Sequence, residues 1–210
     1  MNEYEIRNLS LQEYSLWIDG LYVLATLLLA AIAIWGDRIR QRWLRPKLRL
    51  VLDEPTLTSH SGPDSKGWYY HLRVVNDRRA SPATNVRVLF QQMLKKGADD
   101  TWQERRFTGP VQVMWRWPDY IPQFTTIGPD EYSAFACIVE GDKALQLRLY
   151  WYPNNLTPFI PPREITRLQF KAVSDIAESN VLTIEIAWDG QWEQGSTEMA
   201  RHMIIKKVNA

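Results

Sequence analysis

Residues 17 to 35 read Trp-Ile-Asp-Gly-Leu-Tyr-Val-Leu-Ala-Thr-Leu-Leu-Leu-Ala-Ala-Ile-Ala-Ile-Trp, nineteen positions interrupted only by Asp19 and Gly20. No other stretch of the 210 residues is comparably apolar. As a helix it would rise ~28 Å at ~1.5 Å per residue, about the thickness of a bilayer's hydrocarbon core. Trp17, Tyr22 and Trp35 stand near its ends, where amphipathic rings prefer to sit. Asp19 falls in the first turn, within reach of the interface. Such a run crosses a membrane, is removed as a signal, or is buried inside a soluble core.

The flanks discriminate among these. A secretory signal carries positive charge ahead of its apolar region. Here residues 1 to 20 hold Arg7 against Glu3, Glu5, Glu13 and Asp19, a net of −3. Residues 36 to 49 hold Arg38, Arg40, Arg42, Arg45, Lys47 and Arg49 against Asp37, a net of +5. A small-x-small pattern, Ala31-Ile32-Ala33, lies inside the apolar run and is followed by those arginines. The order favours a transmembrane helix over residues 17–36. Flanking Lys and Arg are retained on the cytoplasmic side, so the expected location is the cell (inner) membrane, single-pass. A short tail, 1–16, lies outside, and the C-terminal domain, 48–210, is cytoplasmic. The single cysteine, Cys137, fits a compartment where disulfides have no use.

Residues 37–47 form a basic juxtamembrane linker, in which Pro46 ends any helical continuation. Ile39 and Trp43, four apart, would share a face and let the segment lie at the headgroups. Arg38, Arg40, Arg42, Arg45, Lys47 and Arg49 are therefore the candidates for contact with an anionic lipid surface, at ~1 kcal/mol each. The simpler alternative is that they do no more than set the topology, and contact with a partner or nucleic acid is a third. The formal net charge of +1 for the whole chain argues against a nucleic-acid binder.

Beyond the linker the hydrophobic period changes to two. Mean hydropathy of −0.34 excludes a multi-span membrane protein, and 45% hydrophobic with 12% aromatic residues excludes a disordered chain. Trp68, Tyr70, Leu72 and Val74 alternate with Tyr69, His71 and Arg73, the pattern of a half-buried strand. Similar alternation runs through Val86–Phe90, Val111–Trp117, Leu145–Trp151 and Leu182–Trp188, with further strands expected at Leu48–Leu52, Tyr132–Val139, Arg167–Val173 and His202–Val208. In this reading Trp68, Trp115, Trp117, Trp151 and Trp188 face inward. Gly- and Pro-bearing turns separate the strands, and no helix of comparable strength follows residue 47. The expected fold is all-β: an antiparallel two-sheet, immunoglobulin-like β-sandwich of eight or nine strands preceded by one transmembrane helix. Its surplus length is assigned to loops at 55–67, 95–110 and 153–166.

Val74-Val75-Asn76, followed after a turn by Ala83-Thr84-Asn85-Val86-Arg87-Val88, resembles the strand-turn-strand of bacterial immunoglobulin-like modules of the cell-adhesion-related kind. Those modules place a tight glycine turn after the first asparagine, whereas Asp77-Arg78-Arg79-Ala80-Ser81-Pro82 is longer and has no glycine. The likeness implies the fold and no chemistry. One span joined to one β domain is similar in arrangement to small bacterial single-span membrane proteins.

Signatures of catalysis are missing from the sequence. His60, His71 and His202 have no second ligand at metal spacing, and no Gly-rich phosphate loop or nucleophile elbow occurs. Cys137 sits in the apolar run Ala134–Val139, as a buried structural thiol would. No catalytic residue, metal or cofactor is therefore assigned, and the chain is not expected to be an enzyme. The candidate contact residues are Tyr69, Arg73, Arg116, Arg148, Tyr150 and Tyr152, because exposed aromatics beside arginines suit a partner-binding surface. The expected function is a membrane-tethered, non-enzymatic interaction module with a protein partner. The alternative is a ligand-sensing effector whose β domain binds a small anion or nucleotide and promotes association of the spans, with Arg73, Arg78, Arg79, Arg105 and Arg106 as candidate contacts by type. Ala30, Ala31 and Ala33 offer small surfaces for homo-oligomer contact through the span.

Overall fold

The structure, a computed structural model, describes residues 17–36, 45–60, 65–77, 79–116, 125–127 and 130–208, with 125–127 described by backbone alone. Chain contacts divide it between Arg45 and Pro46 into two units. The first carries helix α1, Trp17–Gly36, of 20 residues. Its large apolar side chains stand exposed from Trp17 and Leu21 to Ile34 and Trp35. Thr26 donates its hydroxyl proton to the Tyr22 carbonyl one turn back at 2.8 Å, so that group needs no water. The helix is long and apolar enough to cross a membrane.

The second unit is mostly β, with thirteen strands among the described residues. In chain order they are β1 (Leu48–Leu52), β2 (Thr56–Ser59), β3 (Lys66–Asn76), β4 (Ala83–Lys96), β5 (Trp102–Arg105), β6 (Val111–Gln112), β7 (Thr125–Ile127), β8 (Asp130–Val139), β9 (Leu145–Leu147), β10 (Phe159–Ile160), β11 (Ile165–Val173), β12 (Leu182–Trp188) and β13 (Met203–Val208). A short helix, α2 (Ser196–His202), precedes the last strand. Two antiparallel sheets result. The six-stranded sheet runs β1-β3-β8-β9-β10, with β2 also on β3; the seven-stranded sheet runs β13-β12-β11-β4-β5, with β6 and β7 on β4.

The strand count exceeds the eight or nine expected because β2, β5 and β10 lie inside the stretches assigned to loops at 55–67, 95–110 and 153–166, and β7 lies where no strand was expected. Each has four residues or fewer, too short for alternation to stand out. Conversely, Val111–Trp117 is not one strand. Val111 and Gln112 pair with Phe90 and Leu89 of β4, and the Val113 amide donates to the Val88 carbonyl at 2.8 Å. The next amide, of Met114, donates to Arg148, and that of Arg116 to Tyr132, at 3.0 and 2.9 Å. This segment therefore passes from the seven-stranded sheet to the six-stranded one.

One hydrophobic cluster takes the inward face of both sheets. It includes Trp68, Tyr70, Leu72, Val74, Phe135 and Ile138 from one, and Phe90, Met93, Leu168, Phe170, Ile184 and Trp188 from the other. The Phe170 ring lies 5.6 Å from Phe90 and 5.3 Å from Phe135, joining the sheets at their centre. Trp115 and Trp188 are buried as expected, whereas Trp151 is 48% exposed because the alternation that buries Leu145, Leu147 and Leu149 ends before it. Trp117 lies outside the described residues.

The sheet edges are guarded. Pro46 precedes β1 and Pro55 separates it from β2, while Pro158 and Pro161-Pro162 bracket β10. The edge strand β13 carries Lys206 and Lys207, and β5 carries Gln103 and Glu104.

Candidate functional site: the outer face of the six-stranded sheet

Residues opposite one another in paired strands share a face of the sheet. The register therefore sets Thr56, Tyr69, Cys137, Gln146 and Phe159 in one cross-strand row. Val51, Arg73 and Tyr132 form a second, and Arg49, Val75 and Asp130 a third. Their neighbours along each strand, such as Trp68, Tyr70, Leu72 and Val74, belong to the core, so these rows face outward. His71 lies between the first two rows. Its register shift against β8 leaves Phe135 as the extra residue of a bulge, which keeps Phe135 in the core and turns Ala134 outward.

Arginines lie over this face. The Arg148 guanidinium stands 4.9 Å from the centre of the Tyr69 ring, and that of Arg116 stands 5.9 Å from Tyr132. Arg73 pairs with Asp53 at 3.3 Å and with Asp130 at 3.7 Å. The Tyr69 hydroxyl meets His60 Nδ1 at 2.5 Å. Burial raises the Tyr69 hydroxyl above its ordinary range, and the nearby Cys137 adds to this while Arg148 opposes it.

Two groups are sealed beneath. His71 is 2% exposed although its alternation with Trp68, Tyr70 and Leu72 places it on the outward side of the strand. Its Nε2 is hydrogen-bonded to Thr56 Oγ1 at 2.8 Å, and the ring also faces the Ser133 backbone. Burial, reinforced by the charge of Arg116, pushes the ring down to about 4, and Asp53 only partly offsets this. Cys137 is buried, which pushes its thiol up to about 11 against the pull of Arg148, so the thiolate is a minor species at neutral pH.

One end of the face is aromatic. Phe159 is 46% exposed in the same row as Tyr69, and Tyr152 donates its hydroxyl to the Leu147 carbonyl at 2.9 Å, beside the strand that pairs with Phe159. The other end is cationic. The Asn76 side chain accepts from the Lys47 amide at 3.0 Å and donates to the Ser81 carbonyl at 2.8 Å, which pins the start of β1 to the turn after β3. Around this hinge point Lys47, Arg49, Arg73 and Arg79 line a cleft of about 540 Å³ together with Asp77 and Asp130.

Of the candidate residues, Tyr69, Arg73, Arg116 and Arg148 are thus brought together on one face. Tyr152 flanks it. Tyr150 packs against the core and buries its hydroxyl. Of the basic collar, Lys47 and Arg49 join the cationic end and Arg45 is exposed, while Arg38, Arg40 and Arg42 lie outside the described residues. Sequence reasoning missed the sealed His71 and the cleft, since their partners come from strands up to about 80 positions apart in the chain and only the register unites them.

Other clusters are internally satisfied. Glu164, nearly buried, is held by Lys95 at 2.5 Å, Arg105 at 3.5 Å and Thr166 at 3.2 Å. Among the described residues, no group of three or more His, Cys, Asp or Glu is arranged to hold a metal ion. No family model, curated protein or solved structure matches the chain.

Proposed function

We propose that the protein is a membrane-tethered, non-enzymatic interaction module: α1 spans the cell membrane with its N-terminus outside, and the β domain, an immunoglobulin-like sandwich, binds a protein partner on the cytoplasmic side. Support for the sandwich comes from two antiparallel sheets sharing one hydrophobic cluster. The −3 and +5 charges flanking the helix support the orientation. A phosphatase fused after Ala210 is expected to stay inactive in intact cells; activity outside the cytoplasm would overturn the topology.

The observation that carries partner binding is the outer face of the six-stranded sheet, where Arg148 lies over Tyr69 and the exposed Phe159 stands in the same cross-strand row as that tyrosine. Arginine and aromatic side chains are the usual anchors of protein interfaces, because they bury large area at low entropic cost and keep polar handles for specificity. Tethering raises the effective concentration of such a face toward other membrane-associated proteins, so modest intrinsic affinity suffices.

A photoreactive amino acid at Gln146, inside the face, should form defined protein adducts in native membranes, and one at Thr183 on the seven-stranded sheet should not. Arg148→Glu should reduce the Gln146 adducts by about tenfold or more, as expected for an interfacial hot spot worth ~1.4 kcal/mol or above. Equal adducts at both positions, or none at Gln146, would remove this reading. The second reading, an effector gated by a small anion, is favoured by one observation, the cleft that Lys47, Arg49, Arg73 and Arg79 line.

A further inference from the structure

We propose that this cleft is a seat for the phosphate of an anionic phospholipid headgroup, and that filling it turns the cationic end of the sheet toward the bilayer while leaving the aromatic end free. The inference rests on the reading of α1 as a span, but not on the existence of a protein partner.

Charge is the first argument. Four cations face two acids, a lining net of +2. Asp130 is already engaged by Arg73, and no described acid pairs with Lys47, Arg49 or Arg79. Three exposed cations without an acidic partner around a concavity form an incomplete electrostatic arrangement, and a phosphate oxygen cluster completes it with charge-assisted hydrogen bonds.

Preorganisation is the second. The cations reach the cleft from three separate places: Lys47 and Arg49 from the start of β1, Arg73 from β3, and Arg79 from the turn beyond it. Asn76 ties the first and last of these together through its two hydrogen bonds. The turn is itself closed by Ala80 N–H donating to the Asp77 carbonyl at 2.9 Å and by Arg79 N–H donating to the Asp77 carboxylate at 3.0 Å. Converging backbone of this kind lowers the ordering cost of binding.

Proximity selects the source of the phosphate. Lys47 follows the last residue of α1, Gly36, by eleven positions, which reach at most ~40 Å when fully extended. With α1 read as a span, this tether keeps the cleft within reach of the headgroups, whose local concentration exceeds that of any soluble phosphate ester. Along β3 the step from Val75 to Tyr69 covers about 20 Å, enough for a headgroup at one end and a protein at the other.

The test uses the full chain in nanodiscs. Amide hydrogen exchange is followed over residues 46–50 and 75–81 in discs of phosphatidylcholine alone and in discs containing about one third phosphatidylglycerol. Exchange in both segments is expected to slow in the anionic discs. The double variant Arg49→Gln/Arg79→Gln, at two exposed positions, should lose about tenfold of that protection. Arg201→Gln on α2, also exposed, should keep it. Inorganic phosphate added to neutral discs should leave exchange unchanged. The proposal is overturned by unchanged exchange in anionic discs, by undiminished protection in the double variant, or by equal slowing with inorganic phosphate, which would mark a soluble-anion site. Protection in neutral discs that appears only with added cell extract would assign the cleft to a protein and overturn it too. The Gln146 crosslinks are read separately, so loss of one result does not depend on the other.

Discussion

Phe170→Ala is expected to lower the unfolding free energy by about 3–5 kcal/mol, the cost of removing a large aromatic from a close-packed core. The ring is 1% exposed, and it touches Phe90 on its own sheet and Phe135 on the other. Truncation therefore opens a void where the two sheets meet and removes contacts that neither can replace by small shifts. Phe107, stacked on Phe90 at 4.9 Å but only partly buried, is the comparison: Phe107→Ala should cost about half as much or less. Guanidinium unfolding of the full chain in detergent, followed by tryptophan fluorescence, measures both. A Phe170 loss below about 1 kcal/mol would mean that the sheets do not pack as described.

The second large effect is on pH. With the His71 ring held at about 4 in the fold and near 6.5 when unfolded, both states are neutral above pH 6.5 and the full stability is present. As pH falls from about 6.5 toward 4, the unfolded chain takes up a proton that the folded one refuses, so stability drops. The complete loss is about 3 kcal/mol at most. Asp189 and Glu185, held below the ordinary carboxylate range by their hydrogen-bond partners despite some burial, contribute their own losses only at lower pH. The difference between the native chain and His71→Gln isolates the imidazole. Glutamine can still hydrogen-bond Thr56, and the slope between pH 4.5 and 6.5 is expected to flatten. An unchanged slope in the variant would place the titrating group elsewhere.

How much of this was legible depends on the range of the physics involved. The strands at Leu48–Leu52 and Leu182–Trp188 carry regular alternation and stand where the pattern puts them. Trp115 is buried as expected but for another reason: it belongs to the segment crossing between sheets, where an isolated bridge joins it to Ser133. Helix α2 left little trace, having seven residues and one buried side chain, Met199. The aromatic–arginine pairing was legible only as residue types. That Arg148 lies on Tyr69, 79 positions earlier, follows from the stacking of β3, β8 and β9, which no local period encodes. The motif asparagines were likewise visible as a resemblance, yet their work is specific. Asn76 pins β1, and Asn85, with φ of 52°, bonds Asp175 at 2.8 Å.

The prolines at the margins of the six-stranded sheet bear on the manner of recognition. The short edge strands β1, between Pro46 and Pro55, and β10, between Pro158 and Pro161-Pro162, lack the long unbroken run of amide hydrogens that an incoming chain needs in order to extend a sheet. Lys206 and Lys207 discourage the same approach along β13. Self-templated growth into fibres is thereby suppressed. Whatever docks on this domain must read the pattern of its side chains, so specificity is open to change one residue at a time while the backbone stays closed to promiscuous pairing.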